Sequence, residues 1–514
     1  MIMKNIPFFL LLFSTIPITA QPTIEWQKSY GGSKDEGAGF IHQTIDGGYI
    51  AIGSAKSSDG DILEVPGLTD FWVIKSDSNG NIQWQKLLGG NSYDHGQYIQ
   101  QITDGGYILA GSTRSNDGDV TGNHGDWDCW VLKLNNAGAI EWQRTLGGSQ
   151  EDKTYSIKQT TDGGYIMAGY SASTDGDVTN NHGNFDYWLV KLNYEGGIEW
   201  KKTYGGTADD VAYSIQLTSE GGFIVMGSTY SQDGDVTENH GDNDYWVVKI
   251  NNTGEIEWQK TLGGSGADDG GLVIQTSDGG YLVGGTEGSS DGQVVGDYLY
   301  TDFWIVKLDV NGEFQWQKPM GGNEIDLLAS ILETAPGKYL MCGVTYSMDG
   351  DVVANDNYPS IWLVEINESG EIQWQKTIGG TGFEYPSNVE LADDGGYVLL
   401  ATTDSNDGDV SGNHGKYDMW VVKLSPKSSP TAEPLAGELE IYPNPAARSI
   451  TVEIPDDASE MSIELSDMNG RALLRKEHVP NGGCIQLAQL TAGAYLIKAI
   501  SPTGKVYTGK VRKE

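Results

Sequence analysis

Apolar and polar residues alternate in short runs along most of the chain, and each run is closed by glycine, aspartate or asparagine. In one stretch the runs are Tyr155–Thr160, Gly164–Tyr170, Tyr187–Asn193 and Ile198–Tyr204. A period of two residues over this length predicts half-buried β-strands, since successive side chains of a strand point to opposite faces. The first two runs are joined by Asp162-Gly163-Gly164, a hairpin turn that tolerates positive φ, and Asp-Gly-Gly returns at 46–48, 104–106, 278–280 and 394–396. A long loop leads to the third run, and Glu195-Gly196-Gly197 turns it into the fourth. The unit is four antiparallel strands.

Tryptophan shows how often the unit is repeated. Trp26, Trp84, Trp142, Trp200, Trp258, Trp316 and Trp374 are spaced by 58 residues, and Trp72, Trp130, Trp188, Trp246, Trp304, Trp362 and Trp420 each follow one of them by 46. A fixed period of this size marks a repeat architecture. Seven four-stranded units predict an all-β fold, a seven-bladed β-propeller over residues 21–424. The first unit opens with a lone fourth-type strand, Ile24–Tyr30, and the last stops after its third, Met419–Leu424. The N-terminal strand is therefore expected to complete the seventh blade and close the ring, leaving no open edge. Both tryptophan series are expected to pack between blades. Segments such as Lys249-Ile-Asn-Asn-Thr-Gly254-Glu-Ile-Glu-Trp258 resemble the docking repeats of the quinoprotein and kelch-like propeller superfamily, a likeness that speaks to blade packing.

Residues 437–514 lack tryptophan and the period, and follow a Pro/Ser-rich linker at 425–436. They contain Leu439-Glu-Ile-Tyr-Pro-Asn-Pro445, Leu465-Ser-Asp-Met-Asn-Gly470, Leu490-Thr-Ala-Gly-Ala-Tyr-Leu496, Gly504-Lys505 and Lys510-Val-Arg-Lys513. In order and spacing these resemble the type A C-terminal sorting domain of type IX secretion. The resemblance implies an Ig-like β-sandwich that engages the type IX secretion machinery, and delivery to the medium or the outer cell surface of a Gram-negative bacterium. Met1–Ala20, with Lys4, the apolar run Ile6–Ile16 and Ile18-Thr19-Ala20, reads as a signal peptide. The run is too short for a transmembrane span, and no later segment is apolar enough for one.

Composition narrows the partners. The formal charge is −39, while residues 437–514 carry 9 basic and 10 acidic side chains, so the acidity belongs to the propeller. This excludes nucleic acid and anionic membrane as partners, because both are bound through Lys and Arg. Cys129, Cys342 and Cys484 are too scattered for a disulfide framework and read as small buried hydrophobes.

Two periodic acid sets carry the candidate chemistry, both on the face that bears the long loop and the blade-to-blade loop. The long loops place oxygen groups at relative positions 1, 3, 5, 7 and 12, as calcium loops do. The fullest sets comprise Asp117, Asp119, Asn123 and Asp128, then Asp175, Asp177, Asn181 and Asp186, then Asp233, Asp235, Asn239 and Asp244, then Asp407, Asp409, Asn413 and Asp418. Either these bind calcium at up to four sites, or their side chains bond their own backbone in Asx turns. His124, His182, His240 and His414 sit in the same loops, one per blade, as solvated side chains. The second set lies ten residues after each first-series tryptophan: Glu36, Asp94, Asp152, Asp210, Asp268, Asp326 and Glu384. These acids are expected to ring the mouth of the central channel, as a cation or polar-ligand site or as hydrogen-bond acceptors for neighbouring backbone.

Catalytic patterns are weak. Residues 21–436 contain only Arg114 and Arg144, too few for a sialidase arginine triad, and there is no Gly-x-Ser-x-Gly elbow. The expectation is a non-catalytic, exported binding or structural propeller that engages extracellular glycan or protein, with or without calcium. The alternative is a secreted polysaccharide hydrolase using paired acids such as Asp94 and Asp152 at the mouth. Repeat six departs most from the consensus, at Ala335-Pro336-Gly337, Asp356-Asn357 and Pro359-Ser360, so a symmetry-broken site is expected near it.

Overall fold

The computed structural model describes residues 21–64, 67–294, 300–353, 359–427, 435–454, 460–466, 472–487, 489–490, 493–501 and 506–514. The signal segment, linker residues 428–434, Asp356-Asn357 and parts of the sorting motifs (467–470, 491–492, 504–505) lie outside the described residues. Two compact units divide at Lys427 and Ser428.

Residues Gln21–Lys427 form seven four-stranded antiparallel sheets. In the third blade the strands are Asp152–Gln159, Tyr165–Ser171, Asp186–Leu192 and Ile198–Tyr204, paired in chain order. The first strands of successive blades touch one another around a ring that closes between Glu384–Leu391 and Glu36–Gln43. They are the innermost strands and line the channel. A β-bulge interrupts each at an equivalent position, Thr154/Ser156 in the third blade and Gly96/Tyr98 in the second, which re-aims the side chains there, and the sixth blade has a second at Glu333/Ala335.

The seventh blade is completed by the N-terminal strand. Ile24–Tyr30 pairs antiparallel with Asp418–Leu424, with Trp26 opposite Lys423. The indole N–H of Trp420 donates to Gln27 Oε1 at 2.7 Å across this seam. The same bond is made within a blade by Trp72 to Gln85, Trp130 to Gln143 and Trp246 to Gln259, each at 2.8 Å. The closing strand thus supplies what a local hairpin supplies elsewhere.

The two tryptophan series take different roles. Third-strand tryptophans from Trp72 to Trp420 are fully buried in cores shared by adjacent blades, as where Ile108 and Val131 of blade two pack with Met167 and Trp188 of blade three. Most of the fourth-strand series is only half-buried. Trp84 packs edge-on to Tyr107 of the next blade at 5.8 Å and covers that blade's turn. There Gly138 has φ 78°, and a Cβ would come within 2.9 Å of the Trp84 ring. These outer tryptophans clamp neighbouring turns, because the fourth strand lies at the rim where one face meets water.

The C-terminal unit has a five-stranded sheet and a three-stranded sheet over one core, in which Ile450, Val452 and Ile485 meet Ile463, Leu465 and Ile497. Two sheets over one core is the sandwich part of the expectation. Tyr442-Pro443 and Asn444-Pro445 are cis. Cys129 and Cys342 are buried as expected, but Cys484 is exposed. In the strand Gly483–Gln486, alternation sends Ile485 to the core and its neighbour Cys484 to solvent.

Candidate functional site

Six of the periodic acids open the innermost strand of their blade and Asp268 immediately precedes its strand, and all seven are buried. Asp152 accepts the Gly148 N–H at 2.7 Å, the Ser173 hydroxyl at 2.8 Å and the Ser171 hydroxyl. Asp94 takes the same three donors from Gly90, Ser115 and Thr113, and Asp210 from Gly206, Ser231 and Thr229. Asp326 binds Gly322 and Ser347, Glu384 binds Gly380 and Thr403, Asp268 binds Gly264 and Ser289, and Glu36 binds Gly32 and Ser57. The set ties the blade-to-blade loop to the end of the second strand. Burial pushes the carboxyls of Asp152 and Asp210 up to about 6.

The loop acids are drawn into the same junctions. Asp117 Oδ1 accepts the Asn91 N–H at 2.8 Å, and Asp175 and Asp233 bind the Ser149 and Thr207 N–H groups alike. Asp407 accepts the Thr381 N–H at 2.8 Å. Asp119, Asp235 and Asp409 each accept a glycine N–H of the preceding blade-to-blade loop at 3.2–3.4 Å; Asp177 lies 3.7 Å from the Lys201 ammonium. Asn123, Asn181, Asn239 and Asn413 donate to a carbonyl at the end of the second strand and accept the N–H two residues on. Asp128, Asp186, Asp244 and Asp418 are fully buried and accept both the backbone N–H and the ring Nδ1 of the histidine four residues earlier, the ring at 2.6–2.8 Å. The loop histidines are therefore tethered, not merely solvated. Loop geometry explains this, because position 12 of the loop is also the first residue of a buried strand. Among the described residues, no three His, Cys, Asp or Glu side chains converge as a metal's ligand set.

Two acids of neighbouring blades flank one glycine at six of the seven junctions, and at Gly379 Ser360 stands in place of the first. A Cβ on Gly147 would lie 2.7 Å from both Asp128 Oδ1 and Asp152 Oδ2, and Gly89, Gly205, Gly263 and Gly321 are bracketed alike. Only glycine lets the blades approach this closely.

What breaks the symmetry is exposed or half-buried and surrounds the loop-face mouth. The positions just before and after each periodic acid, at the end of the second strand and just before the third carry no consensus. They supply Tyr93, His95, Trp127, Tyr230, Phe383 and Tyr385, with Lys56, Arg114 and Lys153. Tyr93, Tyr230, Phe383 and Tyr385 are exposed. The Trp127 ring lies 5.3 Å from the Arg114 guanidinium, 5.0 Å from the Lys153 ammonium and 5.1 Å from His95. Arg114 is paired with Asp126, and Lys153 with Glu151 at 2.8 Å. Phe383 and Tyr385 are parallel at 6.0 Å, and the Tyr385 hydroxyl is 3.4 Å from that of Tyr346. A cavity of about 330 Å³ opens beside them, lined by Asp35, Lys56, His95 and Tyr417. Burial and the charges of Lys153 and Lys56 hold the His95 imidazole below its usual range. The sequence signal was the variation at fixed period positions, which a search for repeated residues passes over. It centres on blades one to three and seven, with Tyr230 from blade four and Tyr346 from blade six.

Residues 440–513 match the secretion system C-terminal sorting domain. That tail marks the chain for type IX secretion, and the protein is secreted or held at the cell surface. No curated protein matches the chain. Among solved structures, the extracellular domain of BT4673 from B. thetaiotaomicron is similar at 12% identity and TM-score 0.42, over 96% of this chain and 58% of that one. The chain thus spans under two thirds of that protein's length. The Neurospora crassa Pan2 WD40 domain is similar at 10% identity and TM-score 0.43, over 78% of this chain and 96% of that one. The Synechocystis apocarotenoid oxygenase mutant Trp149Ala is similar at 12% identity and TM-score 0.37, over 79% and 95%. No helix of the described residues is long and apolar enough to cross a membrane.

Proposed function

We propose that the exported propeller is a non-catalytic binding module whose loop-face mouth takes an extracellular glycan. One observation carries the reading: the strictly periodic acids are buried and hydrogen-bonded at blade junctions, while the departures from the period gather at the mouth as exposed or half-buried aromatic and cationic groups. Aromatic rings offer flat apolar faces to the C–H faces of sugar rings, and their polar edges suit the hydroxyls. Lys56, Arg114 and Lys153 are each paired with an acid, Asp35, Asp126 and Glu151, so the cations hold the mouth's side chains in place and leave the aromatic faces as the recognition surface.

The hydrolase alternative needs accessible carboxylates, and Asp94 and Asp152 are occupied by backbone and hydroxyl donors. Asp128, Asp186, Asp244 and Asp418 each hold one oxygen on a histidine, and among the described residues no three acids converge on a cation, so binding is proposed to be independent of calcium. The test is a glycan array probed with the secreted protein and with its Trp127→Ala and Tyr385→Ala variants. Specific signals lost in both variants, at unchanged melting temperature, are expected. Signals that survive both changes, or release of reducing ends from a bound polysaccharide, would overturn the reading.

A further inference from the structure

The turn-face half of the channel breaks the repeat in a different way. The innermost strands place His42, Lys158, Ile274, Leu332 and Glu390 at equivalent period positions, so one level of the lumen carries a cation, a carboxylate and an aliphatic wall. The cavity is about 600 Å³, within the range that holds a small organic ligand.

Lys158 is the anomaly. The buried lysines of the third strands all have carboxylates: Lys75 with Asp46 at 3.0 Å, Lys191 with Glu199 at 2.9 Å, Lys249 with Glu257 at 2.7 Å, Lys307 with Asp278 at 3.0 Å and Lys423 with Asp394 at 2.7 Å. Lys158 has none within ion-pair distance among the described residues. Its ammonium donates to the Tyr98 hydroxyl and lies 4.3 Å from the centre of that ring and 5.9 Å from that of Phe40. Glu390 is the opposing charge that acts on it, and Glu390 already accepts His42 Nδ1 at 3.0 Å and the Gln43 N–H at 3.4 Å. Desolvation pushes the Lys158 amine down to about 8, with Glu390 opposing the shift, so it is still mostly protonated at pH 7. A half-buried ammonium without an anion carries part of the cost of desolvation, and an anionic partner would relieve it. Facing it, Leu272, Ile274 and Leu332 leave half-buried apolar surface in the lumen.

We propose that this part of the channel is a second binding site, for a small organic anion whose charged group meets Lys158 and the Tyr98 hydroxyl while its apolar body covers Leu272, Ile274 and Leu332. The site is separate from the mouth and stands whether or not the mouth binds glycan.

Isothermal titration of the secreted protein with 4-phenylbutyrate and its neutral analogue 4-phenylbutan-1-ol tests the proposal. One 4-phenylbutyrate per chain is expected, with the alcohol at least tenfold weaker. Lys158→Met should weaken the anion at least tenfold while leaving the ligand-free melting temperature unchanged or higher, since it removes an unpaired cation. Affinity should fall between pH 7 and pH 9.5 as Lys158 deprotonates. Of the neighbouring titratable groups, Glu390 is paired with His42 at 3.0 Å, and Tyr98 titrates well above its usual range. Equal affinity for anion and alcohol, an unaffected Lys158→Met variant, or no binding of the anion at 10 mM would overturn it.

Discussion

Replacing Asp152 by alanine separates a structural acid from a functional one. The change strands three buried donors: the Gly148 N–H, which cannot turn away, and the Ser171 and Ser173 hydroxyls, which can. A stranded buried donor costs ~1–3 kcal/mol, so one full penalty and two at the low end sum to ~3–5 kcal/mol. This is the expected loss at pH 5, where the carboxyl, pushed up to about 6, is largely protonated in the folded protein. Between pH 5 and pH 7 the wild type must ionise a buried acid that the unfolded chain has already ionised. Its folded-state value is raised, so the stability tied to that proton is lost as pH rises through about 6. The penalty over this window is ~1.4 kcal/mol, and the alanine variant escapes it. The cost of the substitution should therefore shrink to ~2–4 kcal/mol at pH 7. Urea unfolding followed by tryptophan fluorescence, at both pH values, reads the difference. A loss below ~1 kcal/mol at both, or a larger loss at pH 7 than at pH 5, would refute the account of the acid ring as a blade-junction acceptor.

Three further outcomes are expected. Deleting Ile24–Tyr30 removes the pairing partner of Asp418–Leu424 and the Gln27 acceptor of Trp420, so secreted protein lacking it should lose its single cooperative unfolding transition and self-associate through the open edge; a monomer melting as the wild type does would contradict ring closure. The melting temperature should be higher at pH 5.5 than at pH 8.5. Asp70 is pushed up to about 7, Asp210 to about 6 and Glu287 to about 8 by burial, so the stability they contribute is complete below the ordinary carboxyl range and lost as pH rises through those values; a melting temperature that climbs through this window would count against it. Chelation of calcium should leave the melting temperature unchanged, because the loop carboxylates are held by N–H and imidazole donors; a drop of several degrees would restore the loops as metal sites.

The amino-acid sequence alone determined the blade count, the strand order and the closing strand. The physical reason is that a 58-residue period with two tryptophans encodes local hairpins, and only the chain ends are left to pair with each other. The tail was legible for the same kind of reason, since Tyr442-Pro443-Asn444-Pro445 and Gly493-Ala494-Tyr495-Leu496 occur in a fixed order within one short module. Tertiary structure decided what the repeated acids do. Asp128 and Asp152 are far enough apart in sequence to read as two separate loop features, yet both face Gly147, whose missing side chain allows the approach. It also decided where asymmetry matters. Trp127 and Arg114 of blade two meet Lys153 of blade three, and Tyr98 of blade two meets Lys158 of blade three, only because adjacent blades pack side by side. A period reveals what every blade must share; a site made from what the blades do not share exists only once they are set side by side.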